Sequence, residues 1–82
     1  MKQIKEYAIT PRPEESAYIK YRLELAGTTS TRIANDLDVN PSIVQNVIAG
    51  RRHSAKIERH IAQVIGYPSW NVMLKTVRTE VA

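Results

Sequence analysis

The chain has no cysteine, no phenylalanine, one tryptophan and three glycines. Without thiols, neither a disulfide framework nor a thiolate metal site can form, so zinc-finger architectures are excluded. Nothing matches the paired aromatics on which single-strand RNA readers stack bases, and Tyr18, Tyr21 and Tyr67 read as packing residues with wet hydroxyls. Apolar runs end after three or four residues, whereas a bilayer span needs roughly 20. The opening MKQIKEYAIT lacks the apolar stretch of a signal peptide, and a soluble, cytoplasmic protein is expected. His53, Glu58 and His60 form no H-E-x-x-H pattern, no serine sits in a nucleophile elbow, and no histidine–carboxylate pair is implied. No enzyme activity, metal or cofactor is expected.

What is present is a short, basic chain. Its 82 residues fall below the roughly 100 to 200 typical of a domain, so one core with short arms is the limit. Twelve Lys and Arg against eight Asp and Glu give a net charge of +4, and a pI near 9.7 favours a polyanionic partner. A hydrophobic fraction of 43% suffices for a small core, although so small a domain is marginal and gains from self-association.

Periodicity divides the chain into five helices. Pro11 and Pro13 break it after the short stretch from Ile4 to Ile9, so residues 1–13 read as an arm, 14–78 as the domain and 79–82 as a tail. Glu14 and Glu15 suit a helix start, and Ile19, Leu23 and Ala26 give an apolar stripe over 14–26 before Gly27. Hydroxyls at Thr28 to Thr31 cap a second helix over 30–37, with Ile33, Ala34 and Leu37 on one face. Asn40 and Pro41 open a third over 41–49, carrying Val44, Val47 and Ile48 up to Gly50. Ser54 caps a fourth with Ile57, Ile61, Val64 and Ile65, and Ser69 a fifth with Trp70, Met73 or Leu74, Val77 and Val81.

The second and third helices are joined by about three residues, the length of a helix-turn-helix connection. Between Ser30 and Ala49, the positions that must be apolar hold Ile33, Leu37, Val39, Val44 and Val47, and Ala34 is the small residue that lets two helices approach. The turn position that favours a left-handed backbone holds Asp38. This segment resembles the helix-turn-helix of phage-repressor-like regulators. The run VNPSIVQNVIAGRRHS from Val39 to Ser54, then IERHIA from Ile57 to Ala62 and Gly66-Tyr67-Pro68, is most similar to the Ner-like branch of small phage-derived DNA-binding proteins. Where that branch ends in a Trp-Pro-Ser-Arg-Tyr type sequence, this chain reads Ser69-Trp70-Asn71-Val72-Met73. The resemblance implies an all-α, five-helix, lambda-repressor-like fold and a transcriptional repressor of phage or prophage operators, nucleoid-associated in a bacterial cell.

If the third helix enters the major groove, Asn40, Pro41, Ser42, Gln45, Asn46 and Ala49 face the bases. Gln45 and Asn46 carry the donor–acceptor pair for adenine, and Ala49 or Pro41 can touch a thymine methyl. Thr29, Ser30, Thr31, Arg32, Arg51, Arg52, Ser54, Lys56 and Arg59 are the expected phosphate contacts, and residues 39–57 contain no acid. Two-fold dimers on spaced half-sites are the usual way for such a unit to read enough sequence. Trp70 either closes the core between helices 1, 4 and 5 or joins Leu74, Val77 and Val81 in an exposed stripe for a dimer partner. Lys2 and Lys5 are candidates for following the DNA backbone, against which Glu6, Glu14 and Glu15 weigh. A protein-interaction or antirepressor module, or a DNA-bending recombination accessory protein, would use the same scaffold.

Overall fold

The computed structural model describes residues 8–81, with side chains through residue 80. Five helices follow in chain order: α1 (Pro13–Leu25), α2 (Ser30–Leu37), α3 (Pro41–Ile48), α4 (Ala55–Ile65) and α5 (Trp70–Val81). No strand occurs among the described residues.

Each helix start is written in the sequence as a cap. The Thr29 hydroxyl accepts from the Arg32 N–H at 3.2 Å, and Asn40 Oδ1 from the Ser42 N–H at 2.9 Å. Ser54 Oγ accepts from Ile57 N–H at 3.4 Å, and Ser69 Oγ from Val72 N–H at 3.2 Å. Pro13 and Pro41 open α1 and α3, where the missing N–H removes no helical bond. At α1 the cap comes from inside the helix, with Glu15 Oε1 accepting the Arg12 N–H at 2.9 Å.

All five helices contribute to one core, which runs from Ile19 and Leu23 through Ile33, Val44, Val47 and Ile48 to Ile61, Met73 and Leu74. The buried stripe of α1 is Glu15, Ile19 and Leu23, at i, i+4 and i+8. Ala26, expected on that stripe, lies beyond the helix end and is exposed, because α1 stops at Leu25. Trp70, Leu74 and Val77 are 5%, 0% and 1% exposed. They are core residues packed from α5, which removes the exposed dimer stripe; the Val81 side chain lies outside the described residues. Among the described residues, Tyr21, Leu25 and Val72 are the exposed large apolar side chains instead.

The expected arm is the largest departure. From Ala8 to Arg12 the chain forms an extended strap fastened to the domain. The Ile9 N–H donates to Asn71 Oδ1 and the Ile9 carbonyl accepts from Trp70 Nε1, both at 2.8 Å. Arg78 reaches across from α5, donating to Glu15 Oε2 at 2.8 Å and to the Thr10 carbonyl at 3.0 Å. The domain therefore begins at least five residues before α1, and α5 runs through residues 79–81 that were expected as tail. Lys2, Lys5 and Glu6 lie outside the described residues.

At the opposite end of α1, Arg22 donates to the Tyr18 hydroxyl at 3.4 Å and to the Ile65 carbonyl at 3.5 Å, placing a cation at the C-terminus of α4. The bond to Tyr18 holds its guanidinium above the usual arginine value.

Candidate nucleic-acid interface

α2 and α3 are joined by Asp38, Val39 and Asn40, and α2 is held chiefly by α3. Ile33, Ala34, Val44 and Val47 are fully buried between these helices and the rest of the core, while Leu37 and Val39 are half-buried against it. Asp38 takes the left-handed conformation the turn requires, at φ 55 and ψ 49. Its N–H bonds back to the Asn35 carbonyl, and that of Val39 to Ala34, closing the end of α2. Lys56 adds a clip from α4, its Nζ donating to the Leu37 carbonyl at 3.3 Å.

α3 is anchored from the other side by α1, since Ser16 Oγ donates to the Ile48 carbonyl at 2.6 Å. With Val44, Val47 and Ile48 buried, the helix turns Ser42 and Gln45 fully outward and leaves Pro41, Asn46 and Ala49 half-exposed. These five residues form one surface at the start and along the outer face of α3. Asn40, expected beside them at the tip of α3, is exposed and caps the helix. Its Oδ1 is committed to the Ser42 N–H and to the Ser42 hydroxyl, both at 2.9 Å. Asn40 is first a cap, and Ser42 keeps an acceptor lone pair while its hydroxyl proton points at Asn40.

The basic side chains divide in a similar way. Arg51 and Arg52 are exposed in the loop after α3, and Arg32 and Thr31 on the first turn of α2. The α2 and α4 N-termini each commit one hydroxyl, on Thr29 and Ser54, to a cap, which leaves the N–H groups of the intervening first-turn residues available. Lys56 is engaged at the end of α2, so its role in fixing α4 to α2 comes before any phosphate contact. Arg59 lines a cleft of about 340 Å³ with Ala8, Gln63, Pro68 and Trp70. It therefore faces the strap and the α4–α5 turn.

One pairing was not expected from sequence. His53 Nδ1 lies 2.7 Å from Glu58 Oε2, and His53 Nε2 lies 3.0 Å from Thr10 Oγ1. Glu58 is buried although it stands one turn into α4. The signal was available in its register: Glu58 shares a face with Ile61 and Ala62, and an acid there needs a partner. The order hydroxyl, imidazole, carboxylate is that of an activated nucleophile. Thr10, however, is a fastened strap residue, its carbonyl held by Arg78 and its methyl carbon against Gly50. The three side chains join the strap, the α3–α4 loop and α4. Among the described residues no cluster of potential metal ligands occurs, and none of their helices is long and apolar enough to cross a membrane. Comparisons with protein-family models, with characterised proteins and with solved structures gave no match to this chain.

Proposed function

We propose that the chain is a sequence-specific double-stranded DNA-binding regulator of the helix-turn-helix, lambda-repressor-like kind, a repressor that occupies promoter DNA as a dimer and excludes polymerase. The observation that carries this reading is the outer face of α3. Ser42 and Gln45 project from a short helix braced by α2, and the cationic Arg51 and Arg52 lie directly beyond its end. Polar side chains on a rigid helix with cations at its edge are what reading base edges between two phosphate rows requires. The resemblance to Ner-like phage regulators over roughly residues 17–70 supports the same reading. α3 itself has no Arg or Lys, so contacts lean toward A·T pairs, with Arg51 or Arg52 the available partners for guanine.

The test is selection of bound duplexes from a random library at about 150 mM salt, where nonspecific phosphate binding is weak. An enriched two-fold motif is expected, and its spacing gives the separation of half-sites. Absence of any motif with folded protein would transfer the case to nonspecific DNA architecture or protein binding. With a motif in hand, two variants separate the roles. Gln45→Ala should lose about 1 to 3 kcal/mol of discrimination at one position. Arg52→Ala should weaken all duplexes alike and reduce the salt slope by about 1. Equal losses on cognate and scrambled DNA for Gln45→Ala would remove it from the reading face.

A further inference from the structure

Residues 49–54 connect α3 to α4 and carry Arg51 and Arg52, whose side chains are exposed. A six-residue surface connection with two long cations keeps one shape only if something ties it down. The first half is tied by the Arg51 N–H, which donates to the Asn46 carbonyl at 2.9 Å; the tie of the second half is His53. One ring nitrogen is held from α4 by Glu58 at 2.7 Å, the other from the strap by Thr10 at 3.0 Å. Both anchors are themselves fixed. Glu58 is 5% exposed on the core side of α4, and the Thr10 carbonyl is bonded to Arg78 at 3.0 Å.

The link keeps its geometry in either charge state of the ring. In the neutral tautomer with hydrogen on Nδ1, the ring donates to Glu58 and Nε2 accepts from the Thr10 hydroxyl. In the cation both nitrogens donate, and the hydroxyl reverses to accept. Burying a carboxylate under a surface loop is costly where an apolar residue would pack. The cap of α4 does not need it, because Ser54 supplies that bond alone.

We propose that Glu58 is a positioning residue for the basic loop: acting through His53, with Thr10 as the opposing anchor, it sets where Arg51 and Arg52 stand. The inference rests on the DNA-binding reading for its consequence, since a loop fixed in advance meets a row of phosphates without first being ordered.

Two readouts test it on the full chain. The first is amide order parameters of residues 52 and 53 in free protein. They are expected near about 0.85 in wild type and below about 0.6 in Glu58→Ala and His53→Ala. Glu58→Gln, whose amide oxygen still accepts from Nδ1–H, should retain the wild-type value. The second is affinity for a random-sequence duplex at low salt. Glu58→Ala should bind about tenfold more weakly in the wild-type background, and less than about twofold more weakly when Arg51 and Arg52 are both alanine. Unchanged loop order in folded Glu58→Ala or His53→Ala overturns the proposal, as does an equal tenfold loss without the two arginines. If Glu58→Ala does not fold, His53→Ala, whose side chain is 45% exposed, tests the same link. Should wild type bind no DNA at all, the proposed function falls, while the order parameters still decide the positioning.

Discussion

Arg78→Met is expected to destabilise the protein by about 3 kcal/mol, because it strands a carboxylate in the core. Glu15 is 1% exposed, and its two oxygens have one partner each: the Arg12 N–H at 2.9 Å and Arg78 Nε at 2.8 Å. Removing the arginine leaves one backbone bond to compensate a buried negative charge. The loss is set at the lower end of the range for broken buried pairs, since the Arg78 side chain is itself 33% exposed and water can approach from its side. In a chain of this size such a change lowers Tm by on the order of 15 °C. The double variant Glu15→Met with Arg78→Met should recover much of the loss, because an apolar pair of similar volume has no charge to desolvate. Urea denaturation of the three proteins measures both values. A loss below about 1 kcal/mol for Arg78→Met would mean that the Glu15 carboxylate is hydrated in solution, contrary to its burial here.

The helices were legible because their signals are local. Thr29, Asn40, Ser54 and Ser69 each stand within three residues of the N–H they cap, and the apolar stripes of α2 to α5 repeat within one or two turns. The outer face of α3 follows from the same register, so Ser42 and Gln45 are exposed as the spacing predicts. The strap was illegible for the opposite reason. Its partners stand 61, 62 and 68 positions away in Trp70, Asn71 and Arg78, and five residues interrupted by a proline carry no period of their own. The burial of Glu15 and Glu58 was illegible with it. Glu15 suits a helix start by the dipole argument alone, and in sequence Glu58 stands out only beside His53 and His60, yet each also lies in register with buried neighbours, Glu15 with Ile19 and Leu23, Glu58 with Ile61 and Ala62. An acid on the apolar face of a helix predicts a distant cation or histidine. The same rule separates Lys56, tied to Leu37, from the free-standing surface it resembles in sequence. Trp70 shows the limit of periodicity: its stripe with Leu74 and Val77 is real, and its packing against α1 and α4 turns it inward.

Gly50→Ala is expected to cost about 2 to 4 kcal/mol, and Gly27→Ala about 1 kcal/mol. The two glycines have nearly the same positive φ, +81 and +79, so the penalty for an alanine at that φ is common to both. They differ in what the added carbon meets. At Gly27 nothing lies within 4 Å, whereas at Gly50 a Cβ would stand 2.7 Å from the Pro11 carbonyl oxygen and 3.0 Å from the Thr10 methyl. That oxygen belongs to backbone, and Pro11 is buried between anchored neighbours, so it cannot yield cheaply. Relief requires the strap to lift, which releases bonds of about 1 kcal/mol each at Ile9 and Thr10, or requires the loop carrying Arg51 and Arg52 to move. Either displacement breaks the register between Thr10 and His53. Gly50→Ala should therefore weaken binding to duplex DNA as well as lower Tm, and Gly27→Ala should lower Tm alone. Subtracting the two denaturation free energies isolates the strap contact, because the left-handed penalty cancels. Equal losses for the two alanines would mean that the strap does not rest on the α3–α4 loop in solution, and the link that fixes the basic loop from the N-terminal side would be lost with it.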